Sequence, residues 1–224
     1  TLASNLEALE PEVITTAELG FDYSVSDHVE VRANGYWTKF ENQIAYSLAN
    51  TNLSTNIYTL TSAGAELELL FGWKHVSGFF NTSFTARLDE DIFEAEKAFV
   101  SASPDELTWA PALTANGGLT YQSSGLTVGV VGHFQGEVKR REKDVFSEEE
   151  LAVMGLTDQP RAQAVPAWLS LDAKVSYRLI DALELGVSAT NLLDGENLLV
   201  KNLKFPFDYQ SEGRRVFAEL VLHF

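Results

Sequence analysis

The sequence contains no cysteine. A disulfide framework, a thiolate nucleophile and zinc-ribbon spacing are therefore out of consideration. Basic residues are scarce, with 16 Lys and Arg against 32 Asp and Glu and a formal net charge of −16. A nucleic-acid partner requires the opposite sign and is not expected. Long hydrophobic runs are missing as well. No stretch approaches the ~18 consecutive apolar residues of a membrane helix. The uncharged run from Leu107 to Gly136 is rich in Thr, Ser, Asn, Gln and Gly. The chain opens Thr1-Leu2-Ala3-Ser4-Asn5, without a basic or an apolar leader region.

What is present is alternation. From Trp168 to Leu179, Leu169, Leu171, Ala173, Val175, Tyr177 and Leu179 fall on one face, and Ser170, Asp172, Lys174, Ser176 and Arg178 on the other. A period of two is that of a strand with one apolar and one wet face. Leu183 to Leu193 repeats it after only Ile180-Asp181-Ala182, which predicts a tight hairpin. The same grammar runs through Glu18 to Val25, Val29 to Asn34, Ala65 to Trp73, Phe80 to Phe84, Leu113 to Gln122, Gly125 to Glu137 and Val216 to Phe224, nine predicted strands in all.

The connections alternate in length. Those after Val25, Trp73, Gln122 and Leu179 are turns of a few residues, while those near 45–57, 88–108, 138–166 and 194–212 are long and polar. Alternating short and long loops are the pattern of an outer-membrane barrel with periplasmic turns and extracellular loops. Length agrees, since an apolar band ~25 Å tall crossed at ~40° needs roughly ten residues at ~3.3 Å each. Trp73, Tyr121, Tyr177 and Phe224 stand at apolar-strand ends, where interfacial girdles are placed. The expected fold is all-β, an antiparallel transmembrane β-barrel segment of about nine strands. Glu18, Asp22, Arg32, Glu66, Glu68, His133, Asp172, Lys174 and Arg178 are the candidate lumen-facing polar residues, with Gln135 and Glu184 on the same side.

Candidate chemistry is thin. The four histidines are His28, His75, His133 and His223, two in turns, one on the wet face and one beside the terminus. That placement predicts neither a metal site nor a nucleophile, and Glu66 and Glu68 share a face as acids in any barrel lumen do. No catalytic residue and no cofactor are expected. Residues 89–106 carry seven acids against Lys97, and residues 142–161 six against Lys143 and Arg161. The first reading of these stretches is a solvated outer surface, bridged by divalent cations to lipopolysaccharide. The other is a field attracting a cationic or metal-bearing ligand. Ser147-Glu148-Glu149-Glu150 reads as a capping box before Leu151-Ala152-Val153-Met154, with Gly155 as the stop.

Three segments carry a family resemblance. Asn5-Leu6-Glu7-Ala8-Leu9-Glu10-Pro11-Glu12, followed by Thr16-Ala17-Glu18-Leu19-Gly20, resembles the Asn-Pro-x-Leu-x-Pro-Glu … Glu-x-Gly stretch of TonB-dependent outer-membrane receptors, without the first proline and with extra residues. Asn191-Leu192-Leu193-Asp194 resembles the Asn-Leu-Phe-Asp closing that family's penultimate strand. Gly213-Arg214-Arg215, leading to a strand that ends in Phe224, resembles its terminal Gly-Arg … Phe signature. The resemblance implies an active uptake receptor for a scarce nutrient, most often a ferric siderophore, with ~22 strands around a plugged lumen.

Nothing here matches the plug or the TonB-contacting box, and single-chain bacterial barrels have even strand numbers. Residues 1–224 are therefore expected to be one segment from the C-terminal part of a larger receptor. The implied partners are outer-membrane lipid and lipopolysaccharide, the outer-membrane assembly machinery reading Phe224, Leu222 and Leu220, the TonB system through the upstream part, and an unspecified small-molecule ligand. Two rival readings are a small self-contained barrel acting as passive channel or adhesin, and a soluble β-sandwich binding module.

Overall fold

A computed structural model of the protein describes residues 9–47, 53–92, 107–140, 145–158, 162–201 and 208–224. Nine strands form one antiparallel sheet: β1 (Val13–Ser26), β2 (Val29–Ser47), β3 (Leu53–Trp73), β4 (Val76–Ile92), β5 (Leu113–Ser123), β6 (Leu126–Gln135), β7 (Trp168–Ile180), β8 (Leu183–Thr190) and β9 (Arg215–Leu222). Each strand pairs with the next in sequence, so the sheet is an up-and-down meander. Among the described residues its outer edges, on β1 and β9, are unpaired and the sheet is not closed.

Four two-residue turns close one end of the sheet, and positive φ values mark two of them. Lys74 (φ 50) opens the turn between β3 and β4, and Ser124 (φ 49) with Gly125 (φ 84) forms the turn between β5 and β6. Two successive left-handed residues match the right-handed twist of the flanking strands. The second residue of each turn also offers its carbonyl to the following hairpin or to the terminus. His28 accepts from Gly72 at 2.9 Å, His75 from Gln122 at 2.8 Å, Gly125 from Arg178 at 2.9 Å and Ala182 from His223 at 3.0 Å. The two turn histidines lie against aromatic residues of the neighbouring hairpin: His28 stacks on Trp73 at 6.0 Å, and His75 meets Tyr121 at 6.2 Å.

Cross-strand register gives each face its character. One row reads Trp73, Val76, Tyr121, Val128, Val175, Val187 and Ala218 from β3 to β9. A row on the opposite face reads Asp22, Arg32, Glu68, Asn81, Asn116, His133 and Ser170 from β1 to β7. No second layer covers the apolar face among the described residues. The buried apolar side chains are Ile92, Val138, Phe146 and Val165, all at the long-loop end, whereas Leu19, Val175, Val187 and Leu220 are exposed. A soluble sandwich would bury such a face between two sheets, so the sandwich expectation fails.

The strands differ from the sequence reading in length. β2, β3 and β4 have 19, 21 and 17 residues, so most of the predicted long connection at 45–57 is strand, and β4 runs into the one at 88–108. The register shifts between Phe40 and Ile44, with Asn42 at φ 59, and shifts again between Thr61 and Ser62. A β-bulge adds a residue and inverts the apparent phase, which hid the continuing strand. Glu10, Asn42 and Asn56 hold the first irregularity. Asn56 Nδ2 donates to the Asn42 carbonyl at 2.7 Å, Asn42 Nδ2 to Glu10 Oε2 at 3.0 Å, and Ile44 N to Glu12 Oε1 at 2.8 Å. At the other extreme, β6 and β8 stop at Gln135 and Thr190, short of the predicted Glu137 and Leu193.

The connection 138–166 contains the expected helix, α1 (Glu148–Met154), with Ser147 Oγ accepting from Glu150 N, the reciprocal Glu150 bond and Gly155 in the left-handed cap. The predicted acidic stretch 89–106 falls largely outside the described residues, as do Glu142, Asp144 and Arg161 of the second stretch.

Gly64 lies opposite Tyr36, whose ring crosses the missing side chain and whose hydroxyl reaches Thr85 Oγ1 at 2.5 Å. A Cβ there would also stand 2.5 Å from the Phe84 carbonyl oxygen, while a Cβ at Gly129 meets nothing within 4 Å. Gly64→Val is expected to destabilise the sheet by about 1–3 kcal/mol. Gly129→Val is expected to cost far less, with urea unfolding of the two variants as the measurement.

Candidate functional site on the polar face

All nine polar residues singled out from the sequence lie on one face. Strand alternation and register place Glu18 opposite Tyr36, Asp22 opposite Arg32, Glu66 between Asn34 and Ser83, and Glu68 between Arg32 and Asn81. Farther along, His133 pairs with Asn116 and Ser170, Asp172 with Val131, Lys174 with Gly129 and Ser188, and Arg178 with Glu184.

Two side-chain chains run across this face. In the first, Arg32 Nε donates to Glu30 Oε1 at 2.8 Å and Arg32 Nη1 to Glu68 Oε2 at 2.9 Å. In the second, Asn116 Nδ2 donates to Asn81 Oδ1 at 2.8 Å while Asn116 Oδ1 accepts from His133 Nδ1 at 2.9 Å. His133 Nε2 is left facing Asp172 Oδ2 at 4.0 Å. Beside the first chain lies an open groove of about 450 Å³ whose polar lining includes Asp22, Arg32, Asn34, Glu66, Glu68 and Asn81. Exposed pairs of this kind contribute about 0–1 kcal/mol each. The Arg32 pairs thus add little to the stability of the fold and leave charged donors and acceptors on an exposed face. Among the described residues no three His, Asp or Glu side chains are grouped as metal ligands would be.

At the long-loop end the connections are knitted together. Val138 and Val165 pair across a two-residue ladder, Val138–Lys139 with Ala164–Val165, and both are about 1% exposed. The Arg140 guanidinium beside them is fully buried, donating to the Ala162 carbonyl and to Asp208. Asp208 Oδ1 accepts from Lys201 N at 3.0 Å, Trp109 N donates to the Lys139 carbonyl at 3.0 Å, and Trp168 Nε1 to the Leu198 carbonyl at 3.2 Å. Sequence reasoning missed Arg140 and Asp208, because two-residue ladders are too short to show a period and the partners are 68 residues apart.

The comparison with family models finds a match to the TonB dependent receptor-like β-barrel over residues 1–192. The chain belongs to that family. Three solved structures share its fold. The ferric-catecholate import receptor Fiu from Escherichia coli K12 in its closed form is 16% identical, with 96% of this chain and 28% of Fiu covered at a TM-score of 0.73. The ferripyoverdine receptor of Pseudomonas aeruginosa bound to ferripyoverdine is 15% identical, with 96% and 28% covered at 0.69. The siderophore receptor PirA from Acinetobacter baumannii is 18% identical, with 96% and 32% covered at 0.67. The chain therefore spans less than a third of these receptors. The comparison with curated sequences found no match. The family is one of receptors and transporters rather than enzymes, and its barrels belong to the outer membrane.

Arg140→Ala removes the buried guanidinium from Asp208, and breaking a buried ion pair in this way costs about 3–5 kcal/mol. The expected outcome is faster proteolysis and hydrogen exchange confined to segments 136–167 and 191–214. Protection of β5 to β8 should stay at the wild-type level.

Proposed function

We propose that this segment is part of the wall of an outer-membrane receptor that takes up a scarce nutrient, with the ferric siderophore class as the substrate. Lipid covers the apolar face, lipopolysaccharide surrounds the long-loop end, and the polar face lines the lumen. A single sheet with one apolar and one polar face and, among the described residues, no covering layer is the observation that carries this reading. Membrane-spanning strands must satisfy every backbone group within the sheet while turning apolar side chains to lipid. The receptors of like fold named above, a ferric-catecholate importer among them, support the substrate class. Energy would come from the TonB system through parts of the receptor outside these residues.

Strand direction separates this reading from a small self-contained barrel. With nine strands in a simple meander, β1 and β9 both run from the long-loop end to the short-turn end. Two strands running the same way cannot pair antiparallel. Closure in an all-antiparallel barrel therefore requires an odd number of further strands, and the total becomes even, as bacterial barrels have it. The decisive functional experiment is uptake of labelled ferric siderophores by cells carrying the full-length receptor as their sole importer. Accumulation that disappears when TonB is removed supports active uptake, and accumulation indifferent to TonB would favour a passive channel.

Val175 is exposed on the apolar face in mid-strand, and its neighbour Lys174 lies on the polar face, bonded to Glu219 at 2.6 Å. Val175→Arg is expected to destabilise the lipid-inserted barrel by about 2–4 kcal/mol and Lys174→Gln by under ~1 kcal/mol. Folding titrations into lipid vesicles measure both. Phe224, with Leu222 and Leu220 before it on the apolar face, is the proposed signal to the assembly machinery. One terminal ring contributes at most a few kcal/mol at ~25 cal/mol per Å². Deleting Phe224 is therefore expected to lower the surface level of the receptor in cells more than it shifts the heat-modified mobility of the folded product.

A further inference from the structure

The terminal strand β9 poses a register problem. Its ladder with β8 pairs Thr190 with Arg215 and Leu183 with Leu222, yet every side chain of β9 is exposed. Backbone hydrogen bonds are indifferent to sequence. A slip of one residue would invert the faces, but a slip of two preserves them. Val216, Ala218, Leu220 and Leu222 are close to interchangeable on an exposed apolar face. No tight turn fixes the pairing, because the connection runs from Asn191 to Arg214. The Lys174–Glu219 contact joins two exposed, flexible side chains, which tolerate such a shift.

We infer that Asn191, Asp194 and Arg214 form a clasp that sets the register of β9. Asn191 has φ 48 and is buried. Its backbone N–H donates to Asp172 Oδ1 at 2.9 Å, and its Oδ1 accepts from Gly195 N at 3.2 Å. Its Nδ2 donates to the carbonyls of Gly195 at 3.0 Å and Glu212 at 3.3 Å. The next residue, Leu192, donates from its N–H to the Leu171 carbonyl on β7 at 2.7 Å. Asp194, with φ 55, accepts from Arg214 N at 2.9 Å through Oδ1. The Arg214 guanidinium returns to Asp194 Oδ2 at 3.5 Å and to the Leu192 carbonyl at 3.4 Å.

Residues directly after β8 are thereby tied to residues directly before β9. A two-residue slip moves Arg214 by ~6.6 Å along the strand, and the bonds that Arg214 and the Glu212 carbonyl make to Asn191, Leu192 and Asp194 do not survive it. The clasp rests on the interior strand β7 through Asp172 and Leu171, so an anchored element sets the edge. Its consequence for Leu220 and Leu222, their depth in the membrane, rests on the lipid-facing reading above. The register itself does not.

These 224 residues contain no cysteine, so within them only the introduced pairs can cross-link. Val187 and Ala218 are register partners, while Val187 lies two residues out of step with Val216 and Leu220. Directly opposed Cβ atoms are ~4.5–5.5 Å apart and diagonal ones ~7–8 Å, so disulfide formation reports the pairing. In the full-length receptor, Val187→Cys with Ala218→Cys is expected to cross-link, and the pairings with Val216→Cys or Leu220→Cys to stay at background. Adding Asp194→Ala or Asn191→Ala should at least halve the first yield and raise one of the slipped pairs several-fold above background.

Asp194→Asn keeps the acceptor for Arg214 N and should restore the native pair. Asn191→Asp lacks the two amide donors and should not. Native cross-linking unchanged in both alanine variants would overturn the inference. If an alanine variant fails to accumulate, the 187–218 disulfide is formed before refolding into detergent. Recovery of the folded barrel then supports a register role, and failure to recover contradicts it.

Discussion

Everything in this sheet depends on the backbone ladder of the interior strands. Each of the strands from β2 to β8 has a hydrogen-bonded neighbour on both sides, and each alternates its side chains between two faces. No second layer packs on either face among the described residues. The ladder therefore does what a hydrophobic core does elsewhere, and side chains are released to match two different surroundings. That division explains why Arg32, Glu68, His133 and Asp172 coexist with Leu19, Val175 and Leu220 on strands only a few residues thick.

Most of the burial among the described residues lies where the ladder runs out. Beyond Gln135 and Thr190 the chain has no neighbouring strand long enough to satisfy it, and there the structure buries Val138, Val165, Phe146 and the Arg140–Asp208 pair. The long-loop end is thus a small conventional core on top of a core-less sheet. Such a core can hold the long-loop end of the sheet in one shape, which exposed ion pairs worth about 0–1 kcal/mol each could not do.

The nine strands are legible because period-two alternation is unbroken over Leu169–Leu179 and recurs, with a few apolar exceptions such as Val131, Phe217 and Val221, along the others, and because four short turns fix their partners. Their lengths are not. The irregularity around Asn42 breaks the phase, so residues 45–57 beyond it read as a connection although most of them are strand. The shared face of Glu18, Asp22, Arg32 and the other polar residues followed from alternation, since a strand residue has only two places to point. Which of them touch did not follow. The Asn81–Asn116–His133 chain depends on the register of three strands, and the Arg140–Asp208 pair on contact between two loops distant in sequence. The motif residues Asn191, Asp194 and Arg214 were visible as family marks, but their meeting in one clasp appears only when β8 and β9 are set side by side.

In the function proposed above, one face of this sheet meets lipid and the other water. Single cysteines introduced in turn from Leu169 to Val175, on the full-length receptor in intact outer membranes, separate the two faces with a membrane-impermeant thiol reagent. Labelling is expected at Ser170, Asp172 and Lys174, and protection at Leu169, Leu171, Ala173 and Val175. Labelling that runs unbroken along the strand, or that falls on the odd positions, would contradict it.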